Sequence, residues 1–388
     1  MKTVNAEKNK CCGCGLCANI CPVHAIEMKE DELGYVYPYI NEKICINCGK
    51  CVAQCNLNDF QSGRLPLASF AAVRTDKERL MQSSSGGAFA AVAEKFLAQG
   101  GYVCGASMDD EFNVKHVIIN DVKDLELILG SKYVQSDITC VYDQLKALID
   151  NHKVLFCGTP CQVDAIKRYL DYSNNLYTIE IICHGVPNIE MFKSYIEYIG
   201  KGDAQKYVFR DKQQGWSFNA RLTMKDGKKK KINHRLSSYF CFFGKGVLYR
   251  ESCLSCPYAC SERKADLTIG DFWGVVRRCP SVASKLDIDK GVSCLLVNNE
   301  VGNYMIQDVE LALFPVRYED IKQGNGPLNE PSSYGSDREY VLTIWKNNRD
   351  WGELEIYWKK HYYKLHYLFW SILPKQIKQW VRILLRKR

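Results

Sequence analysis

Cys11-x-x-Cys14-x-x-Cys17-x-x-x-Cys21-Pro22 is followed by Cys45-x-x-Cys48-x-x-Cys51-x-x-x-Cys55, and this repeated pair decides how the first part of the chain is built. Three thiolates two residues apart can wrap one inorganic centre in a tight loop, while the fourth ligand must arrive from elsewhere. Two such runs in succession can supply each other's fourth ligand, so the halves lock together. Between them, residues 25–28 and 35–38 read as small strands around a turn at Gly34. Thiolate quartets also suit zinc, but zinc sites rarely need a repeated array of eight cysteines.

The spacing resembles that of bacterial-type ferredoxins, which hold two 4Fe-4S clusters. On that pattern Cys11, Cys14, Cys17 and Cys55 would bind one cluster, and Cys45, Cys48, Cys51 and Cys21 the other. Pro22 matches the pattern, whereas Asn56 stands where the second run would carry its proline. Cys12 is surplus to both quartets and reads as a bystander.

At 388 residues the chain is too long for a ferredoxin and long enough for one small module plus a domain with a full core. It contains 20 cysteines, yet its first residues have no apolar stretch of the kind a secretory signal needs. The expectation is a reducing, cytoplasmic setting in which cysteines are metal ligands or buried thiols. No window reaches the length of a membrane span. Formal charge is +8, but residues 356–388 hold nine Lys or Arg and no acid, leaving 43 basic against 44 acidic residues, a net of −1, before them. A general affinity for nucleic acid is therefore not implied.

Residues 60–68 break the cysteine pattern with glycine and proline and read as an exit into a second domain. Strands at 69–73, 100–106, 114–120, 154–157 and 176–182 alternate with helices near 88–99, 124–129, 139–151 and 163–170, the pattern of an open α/β sheet that binds ligands at its strand ends. Ser83-Ser84-Ser85-Gly86-Gly87 at a helix start offers free N–H groups and hydroxyls suited to a phosphate, or else caps an ordinary helix. Neither a dinucleotide fingerprint nor a Walker loop is present. Cys161 and Cys183 follow successive strands and could lie side by side, and Cys253-x-x-Cys256 could complete a third thiolate quartet with them. A hairpin is expected around Asp226-Gly227, with Lys228 to Lys231 as a solvated run.

From about residue 69 to 275 the chain resembles the beta subunits of coenzyme F-420-reducing hydrogenases and dehydrogenases. The resemblance rests on Ser84-Ser85-Gly86-Gly87, Gly130-Ser131-Lys132-Tyr133-Val134-Gln135-Ser136, Gly158-Thr159-Pro160-Cys161-Gln162, Cys183-His184-Gly185-Val186-Pro187, Phe209-Arg210-Asp211-Lys212 and the run from Asp266 to Gly274, in that order. It implies bound FAD, a 4Fe-4S cluster on Cys161, Cys183, Cys253 and Cys256, and reversible two-electron chemistry on an organic substrate. Cys157 and Cys260 are departures from the pattern, read as buried thiols or as replacements for a ligand. The resemblance further implies flavin contacts from Ser84, Ser85, Gly86, Gly87, Lys132, Tyr133, Gln135, Ser136, Thr159 and Pro160. Lys132 would stabilise the anionic reduced ring, and His184 would serve as a proton donor or as a hydrogen-bond partner to the cluster site.

The expected architecture is thus α+β or α/β. A dicluster ferredoxin-like domain spans residues 1–62, a larger α/β domain for FAD and a 4Fe-4S cluster spans 66–340, and a basic, aromatic, helical tail spans 341–388. Five of the seven tryptophans lie from Trp345 onward. A helix at 376–385 carries apolar residues at helical spacing among cations, which suits a protein surface or an anionic membrane surface on the inner face, and the absence of acid over residues 356–388 tips the balance towards the membrane. The expected function is an iron-sulfur flavoprotein oxidoreductase served by a ferredoxin-like donor or redox partner subunit and acting on a small molecule, such as a deazaflavin coenzyme or a polysaccharide-biosynthesis intermediate. The alternatives are a non-catalytic electron-transfer adaptor carrying clusters alone and a zinc-stabilised scaffold.

Overall fold

The computed structural model describes Val4, residues 7–373 and Ile377. Short aliphatic and β-branched runs bounded by glycine, asparagine and aspartate form thirteen strands among these residues. β1 (Ile26–Glu30) and β2 (Val36–Ile40) make an antiparallel hairpin between the two cysteine runs. An eight-stranded sheet follows, built from β3 (Ala68–Arg74), β4 (Tyr102–Met108), β5 (Val114–Ile119), β6 (Val154–Gly158), β7 (Leu176–Ile181), β11 (Leu267–Asp271), β12 (Ser293–Val297) and β13 (Leu311–Pro315). Its order is β13-β3-β12-β11-β7-β6-β4-β5. The four central strands β11, β7, β6 and β4 are mutually parallel, and the flanking pairs are antiparallel.

A parallel centre must be covered on both faces, and the strands show it: Val154, Leu155 and Phe156 of β6 have no exposed surface, and all of β12 is buried. Because the central strands run the same way, Gly158, Ile181 and Asp271 end at one edge of the sheet, where the loops that carry cysteine also lie. The helix after β6 spans Pro160–Tyr169, starting three residues earlier than its apolar spacing predicts. Proline at its first position is preset for a helix, and Thr159 and Gln162 close a capping box around the start. The segments near 124–129 and at the start of 139–151 are 3₁₀ turns.

β8 (Ala204–Val208), β9 (Ala220–Met224) and β10 (Lys229–Ile232) form a separate antiparallel meander whose hairpin turns at Asp226-Gly227. Against it pack the helices Ile189–Gly200 and Ser238–Gly244 and two later helices, Arg338–Asn348 and Trp351–His361. Trp345, Trp351 and Trp358 are at most 2% exposed and belong to this aromatic core, with Phe192, Tyr195 and Tyr239 around them. Trp351 donates from its indole nitrogen to Ser238 Oγ at 2.9 Å. The aromatic character of this stretch therefore serves the protein's own core. The helix expected at 376–385 lies outside the described residues except for Ile377. Among the described residues no helix is long and apolar enough to cross a membrane.

The cysteine-rich segment is docked on both cores. Leu16 is buried with Tyr142 and Val163, Tyr35 donates its hydroxyl to Leu248 O at 2.6 Å, and the Trp345 indole donates to Leu33 O at 2.9 Å. Arg250, fully buried, donates to Cys11 O (2.7 Å) and Val36 O (2.6 Å) and lies 4.2 Å from the Tyr37 ring centre. Gly13 passes so close that a Cβ there would sit 2.8 Å from this guanidinium.

Removing a fully buried tryptophan leaves a cavity as well as losing apolar burial, so Trp351→Ala should cost about 3–5 kcal/mol of stability in urea unfolding. A loss no larger than that of a surface substitution would contradict its place in the core.

Candidate functional site

Each cysteine run places its last member beside the other run. Cys11, Cys14, Cys17 and Cys55 line one small cavity, and Cys21, Cys45, Cys48 and Cys51 line another. Main-chain N–H groups point at sulfur, from Ala25 to Cys21 at 3.2 Å and from Val4 to Cys51 at 3.3 Å. Such bonds tune the potential of an iron-sulfur centre. The first chamber is the inner one: burial, with the neighbouring sulfurs of Cys11 and Cys55, pushes the Cys17 thiol up to about 12. Cys48, in the second, is exposed.

A cavity of about 720 Å³ opens at the carboxyl edge of the parallel strands, where an open α/β sheet binds its ligands. Ser84, Ser85 and Gly87 line it, followed by Ala88, Phe89 and Ala90, the first turn of the 11-residue helix Ala88–Ala98. Gly87 caps that helix at φ +81° and no side chain covers its end, so free N–H donors are available to an anionic group there. Gly86 stands behind the lining, where a Cβ would fall 2.0 Å from Ala72 O and 2.4 Å from Ser293 N. The two glycines thus serve different needs, left-handed backbone at Gly87 and close approach to the sheet at Gly86.

Lys132, Tyr133, Gln135, Ser136, Thr159 and Pro160 line the same cavity, although several already have protein partners. The Lys132 ammonium donates to Ala106 O (2.6 Å) and Leu129 O (2.8 Å), and burial lowers its pKa to about 7. Gln135 gives its amide hydrogen to Cys12 O at 3.0 Å and accepts from Arg250 at 3.2 Å, which ties the first cysteine loop to the cavity wall. Ser136 accepts from Gln162 at 3.0 Å, and Thr159 Oγ1 lies 3.2 Å from Cys161 Sγ. His184 also lines the cavity, and burial lowers its pKa, favouring neutral imidazole.

Cys161, Cys183, Cys253 and Cys256 all open onto this space. Cys161 sits in the first turn after β6 and Cys183 just beyond β7, and those strands are parallel neighbours. Burial, with the surrounding sulfurs of the set, pushes the thiols of Cys183, Cys253 and Cys256 up to about 12. Arg263, ion-paired with buried Glu180, donates to Tyr258 O at 3.1 Å and Cys260 O at 2.9 Å and so shapes the Cys253 to Cys260 loop. Cys157 lines the cavity beside Lys132, while Cys260 Sγ turns to Glu262 O at 3.3 Å. No group of three or more His, Cys, Asp or Glu among the described residues converges on a single metal-ion position. Four thiolates spread around a cuboidal cluster need no such convergence.

Several side chains carry the site without having been singled out by sequence reasoning. Cys12, read there as a bystander, lines the large cavity and lies beside the thiols of Cys14 and Cys161. Arg210 is paired with Asp271 at 2.7 Å and donates to the Tyr133 hydroxyl at 2.8 Å. Its guanidinium lies over the rings of Phe218 and Trp273, and Trp273 stacks on Trp216 at 5.0 Å. Lys212 donates to Leu80 O (2.7 Å) and to Ser85 O, bracing the serine-glycine loop, and burial lowers its pKa to about 7. The Phe209-Arg210-Asp211-Lys212 motif was the available signal, without a role attached. His116, its Nε2 2.9 Å from Cys157 O and its pKa lowered to about 4 by burial, is a neutral ring on the wall.

Comparison with known proteins gives two family matches. Residues 151–314 match the family described as coenzyme F420 hydrogenase/dehydrogenase, C terminus of the beta subunit, and residues 10–58 match the 4Fe-4S dicluster domain. Two uncharacterized ferredoxins of Methanocaldococcus jannaschii are 48% identical over 44 residues and 36% identical over 52 residues. These matches cover 11% and 13% of this chain and 24% and 66% of the respective ferredoxins. Among solved structures, a chain of the F420-reducing [NiFe] hydrogenase complex from Methanosarcina barkeri is similar at 16% identity and a TM-score of 0.47, over 77% of this chain and 94% of that one.

Lys132 offers a test of the cavity's polarity. Its pKa falls from 10.5 to about 7 on folding, so between those values the unfolded chain binds more protons and the contribution of this side chain to stability rises with pH. The difference in unfolding free energy between wild type and Lys132→Met should move in favour of wild type as pH is raised from about 7 towards 10. A difference that stays flat across this window would mean that the ammonium keeps its proton in the folded protein.

Proposed function

We propose that this chain, which joins a 4Fe-4S dicluster domain to a domain of the kind found at the C terminus of the coenzyme F420 hydrogenase/dehydrogenase beta subunit, is an oxidoreductase. It passes electrons through three 4Fe-4S sites to FAD in the large cavity. An organic substrate is reduced there, or reversibly oxidised. The observation that carries this reading is convergence: Cys14 from the first dicluster quartet, Cys161, Cys183, Cys253 and Cys256, and the uncapped helix start at Gly87 all border one cavity. An adaptor carrying clusters alone would have no need of the open cavity beside them.

Bound there, FAD supplies the conversion between single electrons and electron pairs that clusters cannot perform. The chain's own residues bind and position. Free N–H groups at Ala88 to Ala90 suit a diphosphate, with Ser84 also on the lining. Lys132 Nζ, poised near neutrality, holds or releases a proton and as ammonium offsets negative charge on the wall. His184, favoured as the neutral ring, is a second site for a proton beside the Cys183 position. Phe218, Phe240, Phe243 and Trp273 give the cavity an aromatic side on which a planar acceptor such as a deazaflavin can stack. A one-electron donor or redox subunit would meet the exposed second cysteine chamber.

Anaerobically purified protein should contain about twelve iron atoms, with matching sulfide, and one FAD per chain. Cys183→Ser should lower iron to about eight while leaving the dicluster domain loaded. About eight iron atoms and no flavin in the wild type would favour the adaptor, and zinc in place of iron the scaffold. Lys132→Ala should slow flavin reduction by roughly a hundredfold with iron content unchanged, and normal reduction kinetics would remove that role.

A further inference from the structure

Two cysteine sites meet at one buried amide. Asn56 follows Cys55, at the position where the repeated pattern would place proline, and is 1% exposed. Its Nδ2 donates to Cys161 O at 3.0 Å and to the Tyr258 hydroxyl at 2.8 Å, and its Oδ1 lies 3.9 Å from Cys14 Sγ. Tyr258 in turn donates to Asp164 at 2.8 Å, on the same helix as Cys161. Both amide hydrogens are thus given to fixed acceptors, which holds the side chain in one orientation. A proline here could make none of these bonds. Leaving their buried acceptors unpaired would cost stability, so the asparagine is matched to the second domain and not to the ferredoxin fold.

We infer that Asn56 is the positioning residue for electron passage between the first dicluster site, at Cys14, and the site at Cys161. The inference rests on the proposed function, in which Cys161 holds a cluster. One electron moves, one site is oxidised and the other reduced, and no bond is made or broken. Asn56 contributes a bridge that packs against the sulfur of one site and is hydrogen-bonded to the main chain of the other, in place of a gap that water could enter.

The test uses the full chain, anaerobically loaded and reduced by dithionite, with freeze-quench EPR following the order in which the sites are reduced. Asn56→Ala should retain the wild-type iron content and midpoint potentials while transfer from the dicluster signals to the third signal slows by about tenfold or more. The magnetic broadening between those two signals should weaken as well. Tyr258→Phe, which keeps the bond from Asn56 to Cys161 O, should transfer at close to the wild-type rate. Wild-type transfer and broadening in fully loaded Asn56→Ala would overturn the inference. If that variant does not load, Asn56→Leu, which is of similar size and has neither donor nor charge, decides between the same two outcomes. The third signal is assigned by its loss in Cys183→Ser. If Cys183→Ser instead keeps every signal and all its iron, the reading of the third site fails before Asn56 is in question.

Discussion

Arg250 is a full positive charge with no exposed surface, and a charge so placed persists only if its surroundings replace the water it has lost. Those surroundings come from two separate parts of the chain: the carbonyls of Cys11 and Val36 and the ring of Tyr37 in the cysteine-rich segment, and the side chain of Gln135 in the cavity wall. The guanidinium is therefore satisfied only when the cysteine-rich segment is seated on the larger body. Seating fixes the distance from the first cysteine chamber to the large cavity, and the arrangement of the site follows from it. The same contact explains why the loop needs glycine at position 13, since any side chain would displace the charge from its partners.

Burial acts in a second way at the cavity wall and just behind it. Lys132 and Lys212 are both enclosed with main-chain carbonyls as partners, and both have pKa values brought down to about 7. Arg210, by contrast, has its carboxylate partner Asp271 and keeps its charge. Lys132 on the wall and Lys212 behind the serine-glycine loop are thus groups whose charge responds to the anion or proton nearby, whereas Arg210, like the wall residues Arg250 and Arg263, is a permanent cation. That suits a site in which negative charge comes and goes.

What could be read from sequence was what spacing encodes. The two cysteine runs, the strand ends at Cys161 and Cys183, and the turn at Asp226-Gly227 are local patterns, and local patterns survive without knowledge of the fold. Gln135, Asn56 and Cys12 were hidden because their roles are contacts across the chain: a glutamine expected to touch a cofactor spends its amide on Cys12 O and Arg250. The packing of Trp345, Trp351 and Trp358 among Phe192 and its neighbours was hidden for the same reason, while the helix expected at 376–385, to which the choice between bilayer and protein attached, lies outside the described residues except for Ile377.

The unequal exposure of the two small chambers has a consequence for damage. Cys48 is open to solvent, with Ile44 and Ile46 exposed beside it, whereas all four cysteines of the other quartet are partly buried. Dioxygen or peroxide arriving from solvent meets the outer quartet first. If the quartets hold clusters that feed the cavity as proposed, loss of the outer one comes first and interrupts that supply while the inner site is still intact.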